Sequence, residues 1–420
     1  LRAGDCAIDN APCASYLKYL ETVMPLSRFN PNVWRLTIAQ ALSGANSVVV
    51  YATGAIIGNM LAPTPSLATL PISVFVIGMA LVTLPIGMVA RRWGRTVAFM
   101  IGNACGAVMG LLAAYALTVG SFALFCAAML FGGAYAAVVL TFRFAAAECV
   151  EPQERPKALS TVLAGGVVAG VLGPQLVSAT MGLASQAYVV TYVAAAAVAA
   201  LSALVLVGVR FKRAPAQAAA QPAGNVMPIV GQPRFLVAML CGVVSYMMMN
   251  FMMTSAPLAM DLCGIDRTHT NTGIEMHVIA MYAPSFFTGR LISRFGAPLI
   301  IQCGLLLIGL AALAGMSGMS VGHFWLALVL LGIGWNFGFL GASALVLTCH
   351  APEEGAKVQA INDFVVFGTM VMGSFLSGGL LDAFGWSTVS GLILVPVVLA
   401  MASLSWLQRS QRNAQVRSAV

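Results

Sequence analysis

Charged side chains make up only 8% of the 420 residues, against about 25% in a soluble globular domain. A folded surface so poor in charge does not stay dispersed in water, which excludes a soluble enzyme or binding domain as the reading of the whole chain. Acids are scarcer than bases, with 13 Asp and Glu against 21 Lys and Arg. GxxxxGK[ST] and HExxH are both missing. Their absence argues against built-in ATP drive and a zinc-hydrolase helix. The nine cysteines include no CxxC pair and no Cys/His ligand spacing. Most of them (Cys105, Cys126, Cys241, Cys303, Cys349) lie in apolar runs, where a free thiol behaves as a small apolar residue. No metal and no cofactor are expected. The net charge of +8 sits in short loops rather than on one stripe, so nucleic acid is not an expected partner.

What remains is apolar. Hydrophobic residues are 60% of the chain and mean hydropathy is +0.92. A membrane-spanning helix needs roughly 20 consecutive apolar residues. The uncharged runs give twelve: Leu36–Met60, Leu67–Ala90, Thr96–Leu117, Phe122–Leu140, Leu159–Thr180, Ala187–Val209, Phe235–Leu258, Thr272–Phe287, Ala297–Met316, His323–Leu347, Phe364–Leu381 and Ser387–Trp406. The eighth is the least clean, because Glu275 and His277 lie at its start. The fold class is therefore an all-α multi-pass membrane protein, with the lipid bilayer as its solvent.

Lysine and arginine are enriched on the cytoplasmic side of membrane proteins. With the N-terminus placed inside, 20 of the 21 cations fall on that side and only Arg267 on the other. Both termini are read as cytoplasmic, in a cell inner membrane.

The stretch 210–234, with its RFKRAPAQAAAQPAGN run, suits a flexible cytoplasmic linker. It separates a six-helix unit at 31–209 from another at 235–408, with a cytoplasmic tail at 409–420. Residues 1–30 fit neither a signal peptide nor a span; a disordered cytoplasmic lead is expected, with Leu1–Val23 disordered or derived from an upstream start. The halves repeat. Adding 202 to Gly87, Arg92, Gly94 and Gly102 gives Gly289, Arg294, Gly296 and Gly304. Adding 200 to Pro152, Glu154 and Lys157 gives Pro352, Glu354 and Lys357. Two equivalent loops at nearly one offset indicate duplicated six-helix units. Parallel halves with a site between them near the midplane are a transporter architecture.

The first repeated loop, Gly87-Met88-Val89-Ala90-Arg91-Arg92-Trp93-Gly94-Arg95-Thr96, resembles the Gly-x-x-x-Asp-Arg-x-Gly-Arg-Lys loop of the major facilitator superfamily. Arg91 replaces the family's acid and Thr96 its last base. In the fifth span, AGGVVAGVLGPQL carries Gly166, Gly170, Gly173 and Pro174 and resembles the family's glycine-rich antiporter motif, a weak pointer to export. Other stretches look like a bacterial permease branch of mostly unassigned substrate, with a riboflavin-type importer as one possibility. The resemblance implies two pseudo-symmetric six-helix bundles, alternating access, and first, fourth, seventh and tenth helices lining a central cavity.

Polar residues inside spans are costly and face protein or water. Gln40, Asn46 and Tyr51 in the first span, Tyr135 in the fourth, Tyr246 and Asn250 in the seventh, and Trp335 and Asn336 in the tenth are the candidate cavity residues. Interhelical hydrogen bonding is the alternative for each. For gating, Arg91, Arg92 and Arg95 are expected to face Asp363 at the start of the eleventh span, and Arg290 and Arg294 to face Glu151 and Glu154. Topology signalling is the plainer role for the arginines. His277 is a proton-coupling candidate by virtue of its ordinary pKa, with hydrogen-bonded packing as the alternative. Arg143 and Glu148 are further charged candidates, with an ion pair locking the inner end of the fourth span as their plainer role. The Met-rich seventh span suits flexible packing or an adaptable wall for a flat or bulky ligand. The expected function is secondary transport of a small organic solute by a monomer, with protons as a candidate coupling ion. A membrane-embedded enzyme or sensor is the alternative of another class.

Overall fold

A computed structural model describes residues 30–64, 67, 70–209, 211 and 226–418, without the side chains of 267, 374–379, 382 and 415–418. The N-terminal lead to residue 29 and most of the 210–234 linker lie outside the described residues.

Ten helices among the described residues are long and apolar enough to cross a membrane. In the first half they are Pro31–Leu61, Leu70–Trp93, Arg95–Thr118, Phe122–Glu148, Pro152–Thr180 and Val189–Val207. In the second half they are Pro233–Leu262, Ala297–Ser317, Val321–Val346 and Ala383–Ala414. The two remaining spans fall short of that list for visible reasons. The eighth is broken into Arg267–Tyr282 and Ser285–Phe295. Pro284 lies in the break and lacks the N–H that would continue the ladder. The eleventh belongs to the helical stretch Gly355–Leu392, which turns into the twelfth at Gly385, φ 75°. Twelve spans result, and the eighth is irregular in sequence because it is irregular in structure.

Local signals set the boundaries. Asn30 caps the first span by accepting from Asn32 N–H at 2.9 Å, with Pro31 in the first turn. Gly94 and Gly296, related by the 202-residue offset, both take positive φ, 91° and 83°. Nothing lies within 4 Å of a Cβ built on Gly94, so the glycine is required by backbone conformation rather than by space. Each allows one span to reverse into the next without a longer loop.

Small residues let the helices approach closely within each half. Gly102 packs on Val138, Gly106 on the Tyr135 ring and Gly110 on the Tyr192 carbonyl, while Gly304 meets Gly334 and Gly338. Between the halves, the second span packs on the eleventh and the fifth on the eighth. One apolar cluster joins them: Phe144, Ala147, Leu159 and Leu163 from the first half with Ile292, Ile300, Leu340, Ala344 and Leu347 from the second.

Candidate functional site: the seam between the halves

The repeat reappears in space. Gly87 packs against Ala356 and Ala360, and Gly289 packs against Pro156 and Ser160. Adding 202 turns Gly87 into Gly289; adding 200 turns Pro156 and Ser160 into Ala356 and Ala360. Each half therefore presents its loop glycine to the equivalent pair of positions in the other half. These two contacts form twin seams at the end of the bundle that carries the Arg-rich loops. At the fifth–eighth seam, Ser160 Oγ donates to the Ser285 carbonyl and accepts from Gly289 N–H at 3.0 Å.

The second–eleventh seam is charged. Arg143 Nη2 lies 2.7 Å from Asp363 Oδ1, with both side chains 1% exposed. Arg143 also donates to Ser343 Oγ at 3.2 Å and to the Leu140 carbonyl. Its guanidinium lies 4.3 Å from the Phe144 ring and 4.6 Å from the Phe339 ring. Asp363 Oδ1 further accepts from Asn362 Nδ2 at 3.0 Å, while Oδ2 is buried without a hydrogen-bond partner. Nearby, Arg95 pairs with Glu148, Nε to Oε2 at 2.6 Å, and donates to Gln359 Oε1 at 2.6 Å. Gln359 Nε2 lies 3.3 Å from His350 Nε2.

Two expected pairings are thus corrected. Asp363 hydrogen-bonds Arg143 from the fourth span, while Arg95 of the loop lies within electrostatic reach of it and spends its hydrogen bonds on Glu148 and Gln359. Glu148 does not pair with its near neighbour Arg143, as the locking reading had it, but bonds Arg95. The physical reason is depth. Asp363 lies about two turns inside the helix that starts at Gly355, level with Arg143, whereas Arg92 stays at the helix end with its guanidinium 5.0 Å from the Trp93 ring. Of the second gating set, Glu154 pairs with Lys157 at 2.8 Å and Arg294 lies over Phe295 at 5.2 Å. Glu151 is exposed, and Arg290 lies one residue beyond the Gly289 contact.

An aromatic layer adjoins the charged pair. Tyr246 meets Trp335, Phe339 and Phe367 edge-on at 5.6, 5.0 and 5.7 Å. Trp335 stacks on Phe339 at 5.2 Å and meets Tyr282 edge-on at 5.7 Å. The Tyr282 ring packs on Gly166 of the opposite half. Tyr51 meets Phe75 edge-on at 5.5 Å and lies within electrostatic reach of Tyr246 and Tyr282. It is 39% exposed. The Trp335 indole N–H is buried without an acceptor.

Other expected cavity residues are used differently. Asn46 Nδ2 donates to the Ala195 carbonyl at 2.9 Å. The Tyr135 hydroxyl lies beside Ser43, Ser202 and Asn46 without reaching hydrogen-bond geometry to any of them. Both residues turn inward within the first half, away from the seam. Gln40 packs on the fifth span at Gly165. Asn336 Nδ2 donates to the Met281 carbonyl and to Ser285 Oγ, both at 2.6 Å, and its Oδ1 accepts from Thr288 Oγ1 at 2.7 Å. Its hydrogen bonds are spent clamping the break in the eighth span. Asn250 is buried in the seventh span, 7% exposed. His277 Nδ1 lies 2.7 Å from the Leu328 carbonyl in a fully buried helix contact, which fits its packing alternative. In the glycine-rich motif, Gly166 and Gly170 face Tyr282 and Val278 of the other half, while Gly173, just before Pro174, packs on Val48 and the Ala45 carbonyl of the first span. Among the described residues no group of three His, Cys, Asp or Glu side chains could hold a metal ion.

The sequence pattern described as Major Facilitator Superfamily matches residues 36–371 and 238–419. The chain belongs to this superfamily. It is 41% identical over 379 residues to "Riboflavin transporter RfnT" of Brucella anthropi, covering 89% of this chain and 94% of that one. It is 28% identical over 391 residues to the "Uncharacterized MFS-type transporter YddS" of Bacillus subtilis, covering 87% and 89%. Among solved structures, the proton:xylose symporter XylE superposes with a TM-score of 0.71 at 13% identity, covering 89% and 94%. The human organic anion transporter MFSD10 superposes with a TM-score of 0.71 at 17% identity, covering 88% and 99%. This superfamily member is a membrane transporter, and its neighbours confirm the all-α fold with two six-helix halves.

Three features at the seam were not singled out from sequence: Tyr282, Gln359 and the pairing of Arg143 with Asp363. The repeat offset held a signal for the last. It sets Arg143 opposite Ser343 and Asp363 opposite Leu163, marking two ionisable side chains in positions that are uncharged in the other half.

Proposed function

We propose that the protein imports a flat heteroaromatic solute of the flavin class across the inner membrane by alternating access. The Arg-rich end faces the cytoplasm in this reading, and the seams there are closed. The observation that carries the solute class is the aromatic layer of Tyr51, Tyr246, Tyr282 and Trp335 where the halves meet. Offset-stacked and edge-on contacts to aromatic rings suit a planar heteroaromatic, and an indole N–H without an acceptor offers a donor to a ring carbonyl. The 41% identity with a riboflavin transporter supports the same class. The Met side chains of the seventh span, with Met248, Met249 and Met252 buried, give that wall freedom to adapt to the ligand's edge.

The test is uptake of radiolabelled riboflavin into proteoliposomes. Saturable uptake, inhibited by unlabelled riboflavin and with a raised KM in Tyr246→Ala at normal reconstitution, is the expected result. No uptake and no quenching of riboflavin fluorescence by the purified protein would remove the flavin class.

A further inference from the structure

The aromatic layer stands in a zone nearly free of charge. The first span has Arg35 as its one charged residue, about 24 Å along the helix from Tyr51. The tenth span, which supplies Trp335, has no Asp, Glu, Lys or Arg. In the seventh, Tyr246 stands about 18 Å from Arg234 and about 22 Å from Asp261 along the helix. In the eighth, Glu275 lies about 10 Å to one side of Tyr282. Arg290 lies about two turns to the other side, next to the Gly289 contact of the seam. The ionised groups within electrostatic reach of Tyr246 are Arg143 and Asp363.

Arg143 is the cation that a negatively charged solute would need, and it is engaged at all three of its nitrogens. Nη2 bonds Asp363 at 2.7 Å, Nε bonds Ser343 Oγ at 3.2 Å and Nη1 bonds the Leu140 carbonyl. The Phe144 and Phe339 rings lie 4.3 and 4.6 Å from the guanidinium, and Phe339 also stacks on Trp335. The pair with Asp363 has no net charge. Asp363 Oδ2, the buried carboxylate oxygen without a partner, would repel an anion. The other unpartnered groups beside the layer are neutral. They are the Trp335 indole N–H and the hydroxyl of Ser245, which packs on Gly338 of the tenth span. Both suit carbonyl and hydroxyl groups rather than a phosphate.

The far end of the bundle is unfavourable to anions as well. Away from the Arg-rich loops, the sequence places Asp261, Asp266, Glu275 and Asp382 against Arg267 as the one Lys or Arg. The net charge of +8 is concentrated at the opposite end. A cleft mouth with an excess of one sign repels solutes of that sign, and in the import reading this is the mouth the solute enters.

We infer that the carrier is a charge filter, taking the neutral, unphosphorylated flavin and rejecting flavins that carry a phosphate or a carboxylate. The inference rests on the flavin reading and narrows it. A phosphate monoester carries about −1.5 to −2 charges at pH 7. Enclosed at the layer, that charge would lose its water and meet no cation that is not already matched. The ring carbonyls and side-chain hydroxyls of riboflavin bring only neutral donors and acceptors, which the layer can satisfy.

The test separates charge from size. Four unlabelled flavins compete with radiolabelled riboflavin for uptake into proteoliposomes at pH 7.5. Lumiflavin is neutral and smaller than riboflavin; tetraacetylriboflavin is neutral and larger. Carboxymethylflavin is anionic and smaller; flavin mononucleotide is anionic and larger. The inhibition constants of the two anions should exceed those of the two neutral compounds by about a hundredfold or more, the cost of one buried charge without a partner. Inhibition by either anion as strong as that by its neutral counterpart of similar size would overturn the filter. Sorting by size, with the two small compounds strong and the two large ones weak, would overturn it too. Either result leaves the flavin reading standing. Riboflavin neither taken up nor bound would bring down that reading and the filter with it.

Discussion

Replacing Arg143 by methionine removes the guanidinium but keeps the volume of the stem. Asp363 is left 1% exposed, with Asn362 Nδ2 at 3.0 Å as its remaining hydrogen-bond donor among the contacts described. Breaking a buried ion pair from one side costs about 3–5 kcal/mol, which is roughly two to three and a half powers of ten in an equilibrium constant. The double variant Arg143→Met/Asp363→Leu removes both charges and places at 363 the residue that the repeat already uses at 163. Replacing a whole buried pair by apolar groups of similar volume is often neutral or stabilising. The double variant should therefore lie within about 1 kcal/mol of the parent, despite carrying one more substitution. Heat inactivation of a multi-pass protein is irreversible, so the useful quantity is a lifetime. The assay is the half-life of monodisperse protein in detergent at one elevated temperature. The single variant should be the short-lived one, with the double returning close to the parent. A double variant no longer-lived than Arg143→Met would refute the reasoning, because the loss would then come from packing on Phe144 and Phe339 and not from an abandoned charge.

A Cβ on Gly289 would lie 2.6 Å from the Pro156 carbonyl oxygen and 2.7 Å from Ser160 Cβ, so Gly289→Val should force the fifth–eighth seam open and raise by about tenfold or more the maleimide labelling of a single cysteine placed by Ala344→Cys in the apolar cluster between the halves; an unchanged rate would contradict the seam. Tyr246→Ala should raise the KM for riboflavin uptake by about tenfold or more, the loss of roughly one aromatic contact, whereas Asn46→Ala should lower thermal stability by about 1 kcal/mol with little change in KM. His277→Gln should keep the pH profile of uptake, since its ring is committed to the Leu328 carbonyl; a flattened profile would return it to the coupling pathway. Burial holds His350 neutral below its ordinary 6.5, so the folded loop binds fewer protons than the unfolded one and loses stability as pH falls through about 6.5; His350→Gln should remove that part of the acid sensitivity in a melting series.

The architecture was legible because its signals are long and repeated. Uncharged runs fixed most spans, and the two offsets of 202 and 200 fixed the pairing of halves that later appeared as Gly87 on Ala360 and Gly289 on Ser160. The eighth span was weak in sequence for the same reason that it is broken in space, Pro284 between two shorter helices. The site was less legible. A polar residue in a span must face protein or water, but composition does not say which. Asn46, Tyr135 and Asn336 proved to serve contacts within their own halves, while Tyr51, Tyr246 and Trp335 lie where the halves meet. Rotation about the helix axis decides between these outcomes, and a span that is apolar all round carries little amphipathic pattern to reveal it. Depth was the second missing quantity. Arg91 and Arg143 are both near an inner helix end in sequence, and only the tilt and length of the helices place Arg143 level with Asp363.

The one-sided charge has a mechanical consequence. Parting the neutral seam exposes two serines and a glycine whose hydrogen bonds water can replace gradually. Parting the charged seam means giving up a short, directional contact whose strength falls steeply once water enters. Two hinges with such different force–distance curves do not yield together. The halves should then swing with a skew, the fifth–eighth side giving first and the second–eleventh side following as an abrupt step, so that the rotation axis departs from the pseudo-two-fold that relates the halves at rest.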